Sequence, residues 1–165
     1  MTDLTNPKAP PGTKTGTVWI WLIVLLPLVS ISSLFLIDVT GYMQAILTNP
    51  TSFAALFSLY VSPGFLATVG LSLLLYVLTV IFASRDVKVL TERGVPRPFH
   101  WAFAFFGPVV YVIGRSVVVK IRTGQGLAPL WGVVAVFGVS MIVSLIWTFW
   151  LTTTIYTMVP TVVPA

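Results

Sequence analysis

Residues 130–151 read LWGVVAVFGVSMIVSLIWTFWL and hold no charged side chain. A helix of about 20 apolar residues is long enough to cross the hydrocarbon core of a bilayer. On such a helix Trp131 and Trp150 lie about 28 Å apart at 1.5 Å per residue, close to the core thickness of about 30 Å. Tryptophan is enriched at both membrane interfaces. The stretch therefore predicts a spanning helix with an indole at each interface.

Two further stretches are predominantly apolar, at 18–37 and 64–90. The second is apolar as far as Ala83, continues past the membrane and is expected to stop at Gly94, a residue suited to a left-handed helix cap. Of the 165 residues, 57% are hydrophobic and 8% charged, whereas a soluble domain has about a quarter charged. This composition excludes a water-soluble globular protein and predicts an all-α integral membrane protein with three definite spans.

The remaining chain divides around these helices. Residues 1–17 combine Pro and Gly with Thr, Asn and Lys, which predicts a disordered cytosolic tail. Residues 18–165 are expected to form a single transmembrane domain. Within it, Asn49 followed by Pro50 is typical of a helix start. The apolar residues that follow are too few to span, so we expect a short interfacial helix at about 50–60.

The fourth hydrophobic segment, 99–119, is ambiguous because Arg115 interrupts it and Gly107-Pro108 falls in its middle. As a tilted, kinked span with Arg115 reaching the interface, it gives four spans and divides the Lys and Arg residues between two faces. As a re-entrant or interfacial segment, it gives three spans and leaves all nine Lys and Arg residues on one side, which the positive-inside rule favours. A re-entrant turn must bury its unpaired backbone groups in protein or water. Both topologies stay open at this point.

The net charge of +5 comes from short basic clusters beside the apolar stretches. This distribution points to a membrane surface rather than to a nucleic-acid partner, and it predicts a cytosolic N-terminus. Basic side chains next to a span attract anionic lipid headgroups, although setting the orientation is the simpler alternative. The candidate headgroup-binding residues are Arg85, Lys88, Arg93, Arg97, Lys120 and Arg122.

Four small hydroxyl residues recur at i, i+4 spacing on one face of the last helix. They are Ser140, Ser144, Thr148 and Thr152. Small residues let helix backbones approach closely, so this hydroxyl stripe predicts a helix-packing face. The alternative is that each hydroxyl bonds the carbonyl four residues earlier in its own helix.

The sequence contains few residues of the types that catalyse reactions. The chain has no cysteine, one histidine and four acids. Asp38 is the acid nearest the hydrophobic zone, and its place at the end of the first helix favours ordinary interfacial solvation over a proton or cation site. His100 lies among aromatic residues without a partner for base catalysis, so we interpret it as an interfacial anchor. We therefore predict no enzymatic activity, no catalytic residues, no metal and no cofactor.

Residues 92–115, ERGVPRPFHWAFAFFGPVVYVIGR, and residues 122–131, RTGQGLAPLW, carry a resemblance. Their pattern of Pro, aromatic and Arg positions resembles the membrane module of small uncharacterised actinobacterial proteins. In many of those proteins the module follows a short tryptophan-rich cytosolic domain, which the tail before Thr17 lacks. The resemblance implies a plasma-membrane protein of an actinobacterium and nothing catalytic.

Together these features predict a non-enzymatic, multi-pass protein of a bacterial plasma membrane. We expect an accessory or scaffolding subunit that acts through helix packing, with membrane lipids and other subunits, or a second copy of itself, as partners. A small transporter or channel-forming homo-oligomer is one alternative, and it would need polar groups within the membrane. A protein that binds anionic lipid is the other.

Overall fold

A computed structural model describes the backbone of residues 8–162 and the side chains of residues 8–158. Every regular element of this described part is helical. Three segments are long and apolar enough to cross a membrane, namely Val18–Thr48, Pro63–Glu92 and Ala128–Met158. The all-α fold class and the three spans expected from the sequence are confirmed by these lengths and compositions.

The helices differ in length from those expected, and two of them are broken by short 3-10 turns. The order is α1 Val18–Ser32, a 3-10 helix Ser33–Leu36, α2 Val39–Thr48, α3 Phe53–Phe57, α4 Pro63–Glu92, a second 3-10 helix Trp101–Phe106, α5 Pro108–Thr123 and α6 Ala128–Val162.

The end of α4 confirms the predicted stop at Gly94, which adopts a φ of +79°. The Gly94 amide donates to the Thr91 carbonyl and the Val95 amide donates to the Leu90 carbonyl, each at 3.0 Å. This pair of bonds is the Schellman arrangement, which satisfies the carbonyls left over at a helix end. Val95 and Leu90 are both buried in one apolar cluster with Val119, the apolar contact that accompanies the motif.

In the link between α1 and α4, helix α3 lies within the stretch expected at about 50–60, but a further helix, α2, precedes it. Asn49 ends α2, a helix that was not expected, and its amide donates to the Ala45 carbonyl. Helix α3 begins instead after Ser52, whose hydroxyl accepts from the Ala55 amide at 3.3 Å. Serine is as good an N-cap as asparagine, so the Asn-Pro signal was outweighed by a second cap three residues later.

The described residues form two compact units, and the single transmembrane domain over 18–165 stays a prediction. The first unit comprises the described residues of Met1–Leu28 and Leu74–Gly138, and the second comprises those of Val29–Leu73 and Val139–Ala165. The first unit therefore contains α5, and the second contains α2 and α3. The buried core of the first unit gathers residues from α1, α4, α5 and α6 and from the second 3-10 helix: Ile20, Ile23, Val24, Ala83, Ala104, Tyr111, Val112, Val133 and Val136.

Within the first unit, the ambiguous segment 99–119 reverses direction beside α4. The Tyr76 hydroxyl of α4 donates to the Phe105 carbonyl at 3.2 Å, and the Tyr111 hydroxyl donates to the Ala83 carbonyl at 3.2 Å. Further along both chains, Val119 packs against Leu90. Contacts thus advance along α4 and α5 in the same direction, so α5 returns to the end at which α4 stops.

The turn itself lies at Gly107, where the segment changes from the 3-10 helix to α5. Gly107 has a φ of +110°, a conformation that glycine adopts without steric penalty, and Pro108 suits the first turn of α5. The sequence left open a continuous kinked helix over 99–119, and the structure instead breaks the segment here. A re-entrant hairpin, defined as residues 95–123, is the topology that this arrangement supports.

The backbone of the turn has partners, which answers the physical objection to a re-entrant segment. The Gly107 amide donates to the Ala104 carbonyl at 3.0 Å, and the Phe105 carbonyl accepts from Tyr76. At the start of the 3-10 helix, the His100 Nδ1 accepts from the Ala102 amide at 3.1 Å. An unpaired backbone group in hydrocarbon is costly, and these three bonds lower that cost at the turn.

Cysteine labelling tests the hairpin, because the chain contains no cysteine of its own. We expect Arg97→Cys and Gln125→Cys to react with a membrane-impermeant maleimide from the same side of the membrane. Thr51→Cys should react from the opposite side, because α1 crosses between the tail and α2. If the hairpin were a fourth span, Gln125→Cys would instead react together with Thr51→Cys.

Candidate functional site

A buried polar cluster joins α4, α5 and the chain before α1 in the first unit. Asp86 and Arg115 form an ion pair, with Arg115 Nε 3.1 Å from Asp86 Oδ2, and both side chains are fully buried. Tyr111 and Thr17 are buried beside them. We call these four residues, Thr17, Asp86, Tyr111 and Arg115, the polar lock.

Each oxygen of the Asp86 carboxylate accepts two hydrogen bonds. Oδ1 accepts from the Thr17 hydroxyl and from Arg115 Nη2 at 3.4 Å. Oδ2 accepts from the Tyr111 hydroxyl at 2.9 Å and from Arg115 Nε. Burying an ion pair carries a large desolvation cost, which is offset only where further hydrogen bonds satisfy both partners. The Asp86 carboxylate meets that condition, whereas Arg115 Nη1 is buried without a hydrogen-bond partner in the described chain.

Tyr111 is held in its protonated form by the same surroundings. Burial, followed by the negative charge of Asp86, raises the pKa of the Tyr111 phenol far above its usual range. The phenol therefore donates to Asp86 at every physiological pH. A carboxylate with four donors and no exposure to solvent has no lone pair available for a substrate, so the polar lock is suited to holding segments together rather than to catalysis.

The polar lock was missed from the sequence. In the four-span topology Arg115 was expected at the interface, and Asp86 was not singled out. The structure instead buries Asp86 and Arg115 against each other. One signal could have found the pair: two opposite charges each interrupt or follow a long apolar run, and such charges are costly unless paired.

Arginine side chains also hold the residues before α1, which were expected to be disordered. Arg93 Nη1 donates to the Lys14 carbonyl at 3.0 Å and to the Gly16 carbonyl at 2.8 Å, and Arg115 Nη2 donates to the Thr15 carbonyl. The structure thus packs residues 14–17 against α4 and α5. Residues 1–7 of the expected tail lie outside the described part of the chain.

The six candidate headgroup-binding residues all belong to the first unit but differ in availability. Arg85, Lys88, Arg93, Arg97 and Lys120 are exposed, but Arg93 is engaged with the tail carbonyls. Arg122 is half-buried. Among the described residues the Asp86 pair is the only ion pair, so the four exposed cations other than Arg93 keep their charge uncompensated. We call Arg85, Lys88, Arg97 and Lys120 the basic rim.

The hydroxyl stripe of α6 does not pack against the described chain. Ser144, Thr148 and Thr152 are exposed and Ser140 is half-exposed. The Thr148 hydroxyl donates to the Ser144 carbonyl and the Thr152 hydroxyl to the Thr148 carbonyl, each at 2.8 Å. These two bonds match the alternative interpretation for Thr148 and Thr152 but not for Ser140 and Ser144, and the role of the stripe as a packing face stays a prediction.

Asp38 is exposed and caps α2. Its Oδ1 accepts from the Gly41 amide at 2.9 Å and from the Thr40 hydroxyl at 2.8 Å, which is the role of an N-cap residue. No group of three or more His, Cys, Asp or Glu residues that could hold a metal ion occurs in the described part.

These features define a small α-helical membrane protein in which a buried ion pair joins the returning arm of the hairpin to α4. No known protein family, curated protein or solved structure matches the chain. The resemblance of residues 92–131 to actinobacterial membrane proteins therefore stays a prediction.

Breaking the polar lock should destabilise the fold strongly. Asp86→Leu or Arg115→Met leaves the other charge buried without its partner, which typically costs about 3–5 kcal/mol. The double variant removes both charges, so we expect it to lose much less free energy of unfolding than the sum of the single variants. Denaturant titration in detergent micelles measures all three.

Glu92→Leu serves as the matched control, because it removes an exposed carboxylate from the same helix. Its free energy of unfolding should stay close to that of the wild type. Additive losses in the Asp86 and Arg115 double variant would show that the two side chains do not stabilise each other.

Proposed function

We propose that the protein is a non-enzymatic accessory or scaffolding subunit of a membrane complex, and that α6 provides its docking face. The observation that carries the proposal is the exposure of α6. No side chain from Phe137 to Met158 is buried in the described chain, although this stretch covers most of a spanning helix. This part of α6 adds no buried side chain to the described chain, although Val133 and Val136, nearer the start of the helix, belong to the core.

The hydroxyl stripe makes this exposed helix suitable for a close helix partner. Small side chains permit the near approach of a second backbone, and association in lipid depends on such packing. Thr148 and Thr152 already bond carbonyls of their own helix, so a partner covers no unsatisfied donor there. The partner of this proposal is another membrane subunit or a second copy of the chain.

The ionisable groups support a non-catalytic role. All acceptor positions of Asp86 are used by the polar lock, and Asp38 is used as a helix cap. The single histidine, His100, accepts from the Ala102 amide through Nδ1, and it makes no ion pair with a carboxylate among the described residues.

For the orientation, we propose a bacterial plasma membrane with a cytosolic N-terminus. All nine Lys and Arg residues belong to the first unit, and the hairpin returns to the end at which α4 stops. The positive-inside rule places such an end in the cytosol. In intact cells, Thr51→Cys should therefore react with the impermeant maleimide, while Arg97→Cys should react only after the membrane is opened.

Substitutions in the stripe test the docking face. Ser144→Leu and Thr148→Leu place bulky side chains where a partner backbone would approach, so we expect each to abolish co-purification of a stoichiometric partner from mild detergent. Val139→Leu is the control, because it enlarges an exposed side chain of α6 outside the stripe. Complexes of unchanged size on native gels for both stripe variants would contradict the proposal.

The basic rim supports a second function, binding of anionic lipid. Four exposed cations without an ion-pair partner in the described chain attract anionic headgroups, each by about 1 kcal/mol. We expect the variant with all four changed to Gln to retain less phosphatidylglycerol in native mass spectrometry. Lys14→Gln, which removes an exposed charge outside the rim, should retain as much as the wild type. Equal retention by all three proteins would show that the rim sets orientation alone.

A further inference from the structure

The second unit contains a groove with a volume of about 790 Å³. Residues 35–40, from the end of the first 3-10 helix to the start of α2, line one wall, and α6 lines the other. This volume lies within the range of small-molecule sites, about 300–1,000 Å³. The groove is lined mainly by apolar side chains, with Asp38 and Thr40 as the polar exceptions.

Three aromatic side chains form a continuous cluster in this groove. The ring of Phe35 meets that of Trp147 nearly edge-on, with centroids 4.9 Å apart and an interplanar angle of 83°. Trp147 and Trp150 follow, with centroids 4.9 Å apart. The faces of aromatic rings attract cations, most strongly in tryptophan, and several such rings together are typical of sites for quaternary ammonium groups.

Asp38 adds an uncompensated negative charge to the groove. Both of its hydrogen bonds within the described chain fall on Oδ1, which leaves Oδ2 available. The second unit contains no Lys, Arg or His, so nothing in that unit neutralises the carboxylate. The same absence means that the unit has no positively charged group to pair with a phosphate or carboxylate of a ligand.

We propose that this groove binds an amphiphile with a single positive charge and no anionic group. The cationic centre lies beside Asp38, and the apolar body lies against Phe35, Trp147 and Trp150. A phospholipid with an ammonium headgroup fits less well, because its phosphate would enter a site that has a carboxylate and no cation. The inference is independent of the docking role proposed for the hydroxyl stripe.

Tetraphenylphosphonium is the probe, and its anionic isostere tetraphenylborate is the matched comparison. We expect equilibrium dialysis of the purified protein in dodecyl maltoside to show saturable binding of the phosphonium, after correction for empty micelles, and no saturable binding of the borate. Equal binding of the two ions would overturn the proposal, because it would show that the groove responds to apolar shape alone.

Asp38→Asn isolates the charge, because asparagine caps a helix about as well as aspartate. We expect its affinity for the phosphonium to fall about tenfold, in keeping with the loss of one ion pair near the surface. Glu92→Gln removes a carboxylate from the first unit and should bind as the wild type does. Unchanged affinity in Asp38→Asn would overturn the proposal.

A second variant and a competition experiment complete the test. If Asp38→Asn does not elute as a folded species in size-exclusion chromatography, Trp150→Leu replaces it, since it leaves the cap of α2 intact and should also weaken phosphonium binding. Phosphatidylethanolamine is added as a competitor in the same micelles and should not displace the phosphonium. Displacement at equal concentration would overturn the choice of a cationic amphiphile in favour of a lipid.

Discussion

The buried contact between Asp86 and Arg115 is the constraint on which the first unit depends. The two charges come from different segments, α4 and the returning arm of the hairpin, and neither is tolerable in an apolar interior without the other. Tyr111 and Thr17 bond the same carboxylate. This one group of polar contacts therefore joins α4, α5 and the chain before α1.

The guanidinium groups extend this constraint to the backbone. Arg115 and Arg93 together bond three consecutive carbonyls of residues 14–16. A segment rich in Pro, Gly and Thr has no apolar face with which to pack, and its order here comes from donors supplied by other elements. Arginine suits this task because it presents several donors in a fixed fork.

The sequence predicted the features that depend on local composition. Apolar length alone identified the three spans, and Gly94 identified the end of α4, because both signals lie within a few residues of their effect. The hairpin could be named only as one of two topologies. Its Gly-Pro pair fits both a kink and a turn. What distinguishes them is the direction in which contacts advance along α4, from Tyr76 with Phe105 to Ala83 with Tyr111, pairs that lie 29 and 28 residues apart.

The features that sequence reasoning missed depend on partners distant in the chain. Asp86 and Arg115 each resemble ordinary interfacial charges when considered with their neighbours, and only their pairing reveals burial. Helix α2 was missed for a different reason, since its residues have mixed polarity and its cap, Asp38, had been assigned to solvation. The hydroxyl stripe is the opposite case. Its pattern is clear in the sequence, but Ser144, Thr148 and Thr152 are exposed in the described chain.

The returning hairpin has a consequence for membrane insertion. In the proposed topology with three crossings, the link between α1 and α4 passes to the side opposite the N-terminus. This link carries Asp38 as its single charge. Translocating a Lys or Arg is the step that topology signals oppose most strongly. In that topology the first two crossings and the hairpin are made without moving a positive side chain across the bilayer.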